Sequence, residues 1–331
     1  MKEEDIRPAA LFQKYLELSA ADASTYFAQG ERHDLPCPGC GLEDVAPAFV
    51  KHGFGFAQCT ACGTLYQSPR PLAEAFYSFY QESLSARYWS QVFFPAVAES
   101  RRLHLFRPKV QELARLCRDS GFFPTVVVDV GAGYGLLLEE WVRAFPDTRA
   151  IALEPNPELA AACRGRGLEV LEIFAEEARS LKVQADLVTA FEVIEHVHQP
   201  LRFCQALAGL LRPGGRLLLT GPTVDGFDIQ VLWHRSNSVV PPHHLNMLSV
   251  LGFESLLERA GFIDVRIFTP GKLDVDIVNN ALSADAQVLQ GQRFVRTLLG
   301  RGQEDRAAFQ KFLSEHRLSS HCWAWAVKAN G

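Results

Sequence analysis

Along the second half of the chain, short aliphatic and β-branched runs alternate with longer stretches whose apolar positions recur every three or four residues. The runs TVVVDV, RAIALE, LEVLEI, ADLVTAF, GRLLLTG and FIDVRIF read as strands, with LLLEEWVRAF, PELAAACRG, LRFCQALAGLL and LGFESLLERAG as the helices between them. Parallel neighbours need a crossover, usually helical, so this repetition predicts an α/β fold on a doubly wound (Rossmann-like), mostly parallel sheet. Between 271 and 317 the rhythm is broken by two predicted helices, read as a helical insertion. The alternating HCWAWAVKA then closes the chain as a seventh strand.

The first half reads differently. Residues 8–30 have the spacing of a helical lead-in, and 36–70 are rich in Cys, Gly and Pro around short aromatic runs such as FGFAQC. From 72 to 117 helical spacing returns, through Phe76, Tyr77 and Tyr80 and later through Leu103, Phe106, Val110, Leu113 and Leu116. The expected organisation is a lead-in at 1–34, a ribbon at 35–70, a helical connector at 71–120 and the main α/β domain at 121–331.

A length of 331 residues exceeds the roughly 100–200 of one ordinary domain, which agrees with a large core plus a smaller module. A net charge of −5 gives no polyanion-coating surface. The start MKEEDIRPAA is acidic, and no apolar run approaches the roughly 18 residues of a spanning helix, so a cytoplasmic protein without a membrane partner is expected. Oligomeric state is not legible. Of eight cysteines, four fall in two tight pairs, whereas Cys117, Cys163, Cys204 and Cys322 are scattered through apolar segments. That is metal plus buried thiols rather than a disulfide framework.

The first strand of the main domain runs into VVVDVGAGYGLLLEEW, with Asp129 two residues ahead of Gly131, Ala132, Gly133 and then Gly135. Glycine allows positive φ and removes the Cβ that would block a ligand, while the next helix turns free N–H groups toward the strand ends. A dinucleotide fingerprint needs glycine at the position of Leu136, so the loop is G-x-G-x-G instead. Glu154 ends the second strand in RAIALEPN, where a carboxylate can accept from ribose hydroxyls.

These residues, with DLVTAFEVIEHVHQP and LLRPGGRLLLTGP, resemble the successive motifs of class I S-adenosylmethionine-dependent methyltransferases of the ubiquinone-methyltransferase-like kind, over about 126–268. The resemblance implies that Gly131, Gly133 and Gly135 line the methionine moiety and that Asp129 holds the loop and the amino group. It further implies that Glu154 binds the ribose. Ala132, Pro155, Phe174 near the adenine, Phe191 and Glu192 complete the expected cofactor contacts.

The fourth strand ends at Phe191 and Glu192, followed by VIEHVHQP, which brings Glu195 and His196 to the strand ends where ligands bind. Adenosylmethionine carries its own electrophile, so the protein aligns the acceptor and, for a hydroxyl or carbon acid, removes a proton. His244, His196 and His243 are the expected bases, the outer two in the loop SVVPPHHLNMLS. His198 reads as an exposed loop residue. Phe227, Trp233 and His234 read either as acceptor-site walls or as core filling.

Cys37-x2-Cys40 and Cys59-x2-Cys62, eighteen residues apart and each followed by glycine, have four-cysteine zinc spacing. Four thiolates leave no open coordination position, so a structural zinc is expected. Between 31 and 70, Arg32, Lys51 and Arg70 face Glu31, Asp34, Glu43 and Asp44, which is no basic patch and disfavours a nucleic-acid partner. A cysteine ribbon followed by SPRP and this core is also similar in architecture to bacterial methyltransferases of nucleotide-linked sugars or surface-polysaccharide precursors. The expectation is methyl transfer from adenosylmethionine to a small polar acceptor; a ribbon-bearing RNA methyltransferase or a non-catalytic adenosylmethionine-binding scaffold are the alternatives.

Overall fold

The computed structural model describes residues 2–180 and 184–330. Three antiparallel strands form the ribbon, β1 (Val45–Lys51), β2 (Phe54–Cys59) and β3 (Leu65–Gln67). The α/β part supplies β4 (Val126–Val130), β5 (Arg149–Leu153), β6 (Glu169–Leu171), β7 (Ala185–Phe191), β8 (Leu211–Pro222), β9 (Asn246–Met247), β10 (Phe262–Phe268) and β11 (His321–Lys328). All of these but β9 join one seven-stranded sheet in the order β10-β11-β8-β7-β4-β5-β6. Strands β6 through β8 run parallel across it, and β11 lies antiparallel between β8 and β10.

Strand alternation builds a core on each face. Val127, Leu187, Leu218, Trp323 and Trp325 point to one side, where they meet Leu137 and Trp141 of the helix Leu136–Ala144. Val128, Val130, Val188, Leu217 and Leu219 point to the other, against Phe203 and Leu207 of Pro200–Leu210 and Phe253 and Leu256 of Val250–Arg259. Each fully buried side chain of this kind contributes about 1.5–3 kcal/mol. The first strand, β4, sits between β5 and β7, so the chain winds outward from it in both directions. That reversal opens a crevice at the carboxyl ends of the strands.

The amino-terminal third roofs this crevice. Helical segments Leu84–Tyr88, Phe94–Arg101 and Arg107–Asp119 run on from one another through π turns at Trp89–Phe93 and Arg102–Phe106. A π turn fits an extra residue into the helix and re-aims the face beyond it. Phe12 and Tyr15, from the helix Ala9–Phe27, pack on Phe93 and Val97 and fix the arm in place.

The structure departs from the expected organisation in two places. The ribbon is not self-contained: β9 adds a fourth strand to it, pairing Asn246 with Tyr66 and Met247 with Leu65. Phe54, Phe56 and Leu65 of the ribbon share one apolar cluster with Val224, Ile229, Val239, Leu245 and Met247. The segment expected to hold two helices holds three, Asp274–Ala284, Arg293–Leu299 and Gln303–Glu315. Their own small core of Val275, Val278, Leu289, Val295, Leu299 and Leu313 explains why the sheet rhythm stops there. Among the described residues no helix is long and apolar enough to cross a membrane.

Candidate functional site

A crevice of about 2080 Å³ lies over the ends of β4, β5 and β7. Ligand pockets run to about 300–1,000 Å³, so this one has room for a cofactor and a second molecule together. Gly131, Gly133 and Gly135 line its floor or the turn beneath it, all with positive φ of 69°, 56° and 71°. A Cβ at Gly131 would meet Val193 at 2.6 Å and one at Gly135 would meet Leu168 at 2.7 Å, so these two are glycine for packing. At Gly133 nothing lies within 4 Å of that position, and the backbone there faces open space. Ala132 donates its N–H to the Leu153 carbonyl at 3.2 Å, tying the loop to β5.

Glu154 is buried and takes both its bonds from backbone: Gly133 N–H donates to Oε2 at 2.8 Å and Asn156 N–H to Oε1 at 3.0 Å. Burial raises its carboxyl above the usual range. Asp129 accepts a 2.6 Å bond from the Thr189 hydroxyl, and burial pushes its carboxyl up to about 7. Pro155 lines the crevice beside Glu154, and Phe174 stands at its rim, about half exposed, edge-on to Tyr77.

At the end of β7 the chain turns through Glu192 with φ +55°, a conformation that costs a non-glycine residue energy and is held by its neighbours. Glu192 accepts from the Thr220 hydroxyl at 2.8 Å and faces His321 Nδ1 at 3.3 Å. Trp323 donates to His321 Nε2 at 2.9 Å, so Nδ1 carries the proton that points at Glu192. Burial alone would raise the Glu192 carboxyl, but His321, the Lys109 ammonium and the Thr220 hydroxyl together hold it low. His321 is itself pushed down to about 4 by burial, which leaves Lys109 and, more weakly, Arg7 as the charges that favour the Glu192 carboxylate near neutral pH. Lys109 stands 4.9 Å over the Phe191 ring, on the crevice wall.

The turn Ile194–His196 then presents a cluster. His196 donates Nδ1–H to the His243 carbonyl at 2.9 Å, and His244 donates Nδ1–H to the Ser238 carbonyl at 2.6 Å. Each ring therefore keeps an Nε2 lone pair free. The rings meet edge-on at 5.0 Å, and Glu195 Oε1 lies 3.8 Å from His196 Nε2. Burial raises the Glu195 carboxyl well above its usual range, and its Oε2 is buried without a hydrogen-bond partner. Burial holds His244 down to about 3 and lowers His196 as well, so both are neutral bases at physiological pH. Glu195, His196 and His244 bring ligand atoms within 4.8 Å of one another and could hold a divalent cation. His243 sits deeper, among Tyr15, Phe79 and Tyr80, with Nε2 3.0 Å from the Ser85 hydroxyl.

His198, expected on an exposed loop, is half-buried and donates Nε2–H to the Pro71 carbonyl at 2.9 Å. Trp233 and Phe227 are core filling: the first packs edge-on against Phe49 of the ribbon at 5.4 Å, the second against Phe309 of the helical insertion at 5.1 Å. His234 lies against Phe49 as well. The reading of the sequence missed Arg7, Arg101 and Lys109. They reach the crevice from the amino-terminal third, and no local motif marks them.

At the ribbon, Cys37, Cys40, Cys59 and Cys62 bring their sulfurs within 4.8 Å of one another, with 3.5 Å between Cys37 and Cys62 and between Cys40 and Cys59. Tetrahedral zinc with 2.3 Å bonds requires sulfurs about 3.8 Å apart, so the four thiols fit such an ion. Gly41 and Gly63, with φ of 82° and 81°, donate back to the Cys37 and Cys59 carbonyls at 2.8 and 2.9 Å and close the two knuckles alike.

Comparison with known proteins agrees with this geometry. Residues 88–267 match the family described as "Methyltransferase domain". The chain is 30% identical to a ubiquinone biosynthesis O-methyltransferase of Aeromonas salmonicida over 144 residues, 42% of this chain and 58% of that protein. It is 33% identical over 150 residues to the protein of that name from Xanthomonas axonopodis pv. citri, 42% of this chain and 57% of the relative. The chain thus spans somewhat more than half the length of these curated relatives. In fold it is similar to the plantazolicin methyltransferase BamL, solved with a triazolic desmethylPZN analog and SAH. The TM-score is 0.51 at 12% identity, over 76% of this chain and 94% of that one. With the family match covering more than half of its residues, the chain belongs to the methyltransferase domain family.

Proposed function

We propose that the protein transfers the methyl group of S-adenosylmethionine to an oxygen of a small polar acceptor, such as a nucleotide-linked sugar or a surface-polysaccharide precursor. The observation that carries this reading is one crevice with a ligand-open glycine loop and buried Glu154 at one end and two neutral imidazoles at the other. The O-methyltransferase names of the relatives support oxygen as the acceptor atom. When bound, adenosylmethionine supplies a sulfonium-activated methyl group, and its transfer leaves S-adenosylhomocysteine.

In this reading Glu154 accepts from the ribose hydroxyls, the backbone at Gly133 approaches the ligand closely, and Asp129 faces the amino group. Phe174 closes over the adenine, while Phe191, Pro155 and Glu192 wall the site. His196 and His244 receive the acceptor's proton at Nε2, which their Nδ1–H bonds to backbone carbonyls leave free. His243 supports them through its carbonyl. The four-cysteine ribbon holds a structural zinc.

Replacing His196 by Gln or His244 by Ala is expected to lower turnover by about 10²–10⁴-fold, the range of general-base contributions, with cofactor affinity changed less than about twofold. Equal single-turnover rates in both variants would remove the pair from the chemistry. Cofactor affinity is also expected to depend on pH through Asp129. With its carboxyl pushed up to about 7, this group is mostly protonated at pH 6 and mostly ionised at pH 8. An ammonium ligand prefers the ionised form, so affinity rises with pH, by up to about tenfold across that interval. Calorimetry at the two pH values checks this, and Asp129→Asn is expected to flatten the dependence.

A further inference from the structure

Arg7, Arg101 and Lys109 line the crevice, and none of the three forms an ion pair among the described residues. Arg101 lies 5.8 Å over Trp89 and 5.3 Å over Phe94, with Nε and Nη1 buried and without hydrogen-bond partners. Arg7 lies 5.2 Å over Phe12, its Nε likewise buried and unpartnered. Burying guanidinium donors unpaired is costly, and a structure keeps such groups where a ligand completes them. Aromatic faces steady both charges without using their hydrogen-bonding edges.

The three cations sit in two places, Lys109 on the wall over Phe191 and Arg7 and Arg101 on the roofing arm over Phe12, Trp89 and Phe94. Lys109 stands over Phe191, and its charge acts on Glu192 and Glu195 and also reaches Asp129, beside the glycine loop. It suits the single carboxylate of the cofactor's amino-acid end. Arg7 shares Glu192, Glu195 and His321 with Lys109 and acts as well on His244 of the base cluster. Phe12 beneath Arg7 and Trp89 beneath Arg101 both pack on Phe93, at 6.2 and 4.4 Å, and the Ser100 hydroxyl donates to the Asp5 carbonyl. These contacts bring the two arginines to one patch of the arm, where like charge adds to burial in lowering Arg101. Two adjacent guanidinium forks carry two positive charges. A carboxylate offers one negative charge and two oxygens, which one fork consumes; a phosphate monoester or a diphosphate offers about two charges and oxygens for both forks.

We propose that Arg7 and Arg101 form an oxyanion subsite that clamps a phosphate or diphosphate group of the methyl acceptor beside Glu195, His196 and His244. The proposal rests on the methyl-transfer reading and narrows its acceptor to phosphorylated molecules.

Calorimetric titration of the full chain with inorganic pyrophosphate, with acetate and with adenosylmethionine tests it, using wild type, Arg7→Leu, Arg101→Leu and Arg101→Lys. Pyrophosphate is expected to bind wild type once per chain and to lose about tenfold or more in affinity in each Leu variant, with Arg101→Lys between. Adenosylmethionine affinity should stay within about twofold throughout. Arg7 precedes the helix Ala9–Phe27 and lies outside the sheet, so its variant tests the subsite without burdening the core. Three outcomes overturn the proposal: pyrophosphate binding that is absent or unchanged in both Leu variants, acetate binding as well as pyrophosphate, or Arg101→Leu weakening adenosylmethionine instead. Absence of adenosylmethionine binding in wild type is a separate result that contradicts the methyl-transfer reading itself.

Discussion

Stripping the proposed structural zinc from the four-cysteine ribbon is expected to disable the acceptor side of the crevice and to leave the cofactor side standing. The ribbon is wired to the histidine loop by consecutive bonds. Ser249 donates to the Cys62 carbonyl at 2.5 Å, and Thr64 meets the same hydroxyl at 3.3 Å. Gln67 donates from its backbone to the Leu245 carbonyl at 2.9 Å and from its side chain to the His244 carbonyl at 3.1 Å. Leu245 in turn donates to the Glu195 carbonyl at 2.6 Å, and buried Arg70 ties His198, Leu245 and Asn246 together. A structural zinc supplies about 10–16 kcal/mol of apparent binding energy to a small module of this kind, far more than β1 to β3 can replace by packing. Without it the brace behind Glu195 and His244 is gone, and a misplacement near 1 Å costs on the order of a hundredfold in rate. Chelation, or Cys59→Ser, should therefore lower turnover by about a hundredfold and raise hydrogen exchange across residues 243–249. Adenosylmethionine affinity should change only a few-fold, because β4 and β5 belong to a different sheet from the ribbon. Metal-free protein with unchanged exchange at 243–249 would contradict the brace.

The second large effect belongs to Glu154. In Glu154→Ala the proposed ribose contact loses its acceptor, and the N–H groups of Gly133 and Asn156 lose theirs as well. Each hydrogen bond to a charged group contributes about 1.5–3 kcal/mol, so cofactor affinity should fall by about 10- to 100-fold even after partial relaxation. Glu154→Gln keeps an acceptor oxygen without the charge and should fall between. Melting temperature separates the two contributions: a cofactor-free protein that melts as the parent does assigns the loss to the ligand contact, whereas a lower value assigns part of it to the loop.

The α/β sheet was legible because most of its strands are short aliphatic runs, several of them next to glycine or proline, and its helices carry apolar stripes. The floor of the crevice was legible for a local reason too: Asp129, the glycines and Glu154 lie on adjacent strand ends, so spacing along the chain reports spacing in space. The same holds for the paired cysteines. Arg7, Arg101 and Lys109 carry no such signal, since an arginine on a helix reads as a solvated charge until tertiary packing aims it inward. The two π turns that carry the arm past the crevice have no pattern in the hydrophobic spacing. Nor could β9 be foreseen: two residues, Asn246–Met247, are too short for a period of two, and their pairing partner lies nearly two hundred residues away in the ribbon.

The most direct test of the central claim is calorimetric titration of the full chain, purified with zinc in the buffer, with adenosylmethionine, with NAD run in parallel. One adenosylmethionine site per chain, weakened in Glu154→Ala, with no heat from NAD, is the result expected. No binding of adenosylmethionine, or binding indifferent to Glu154, would contradict the assignment of the glycine crevice.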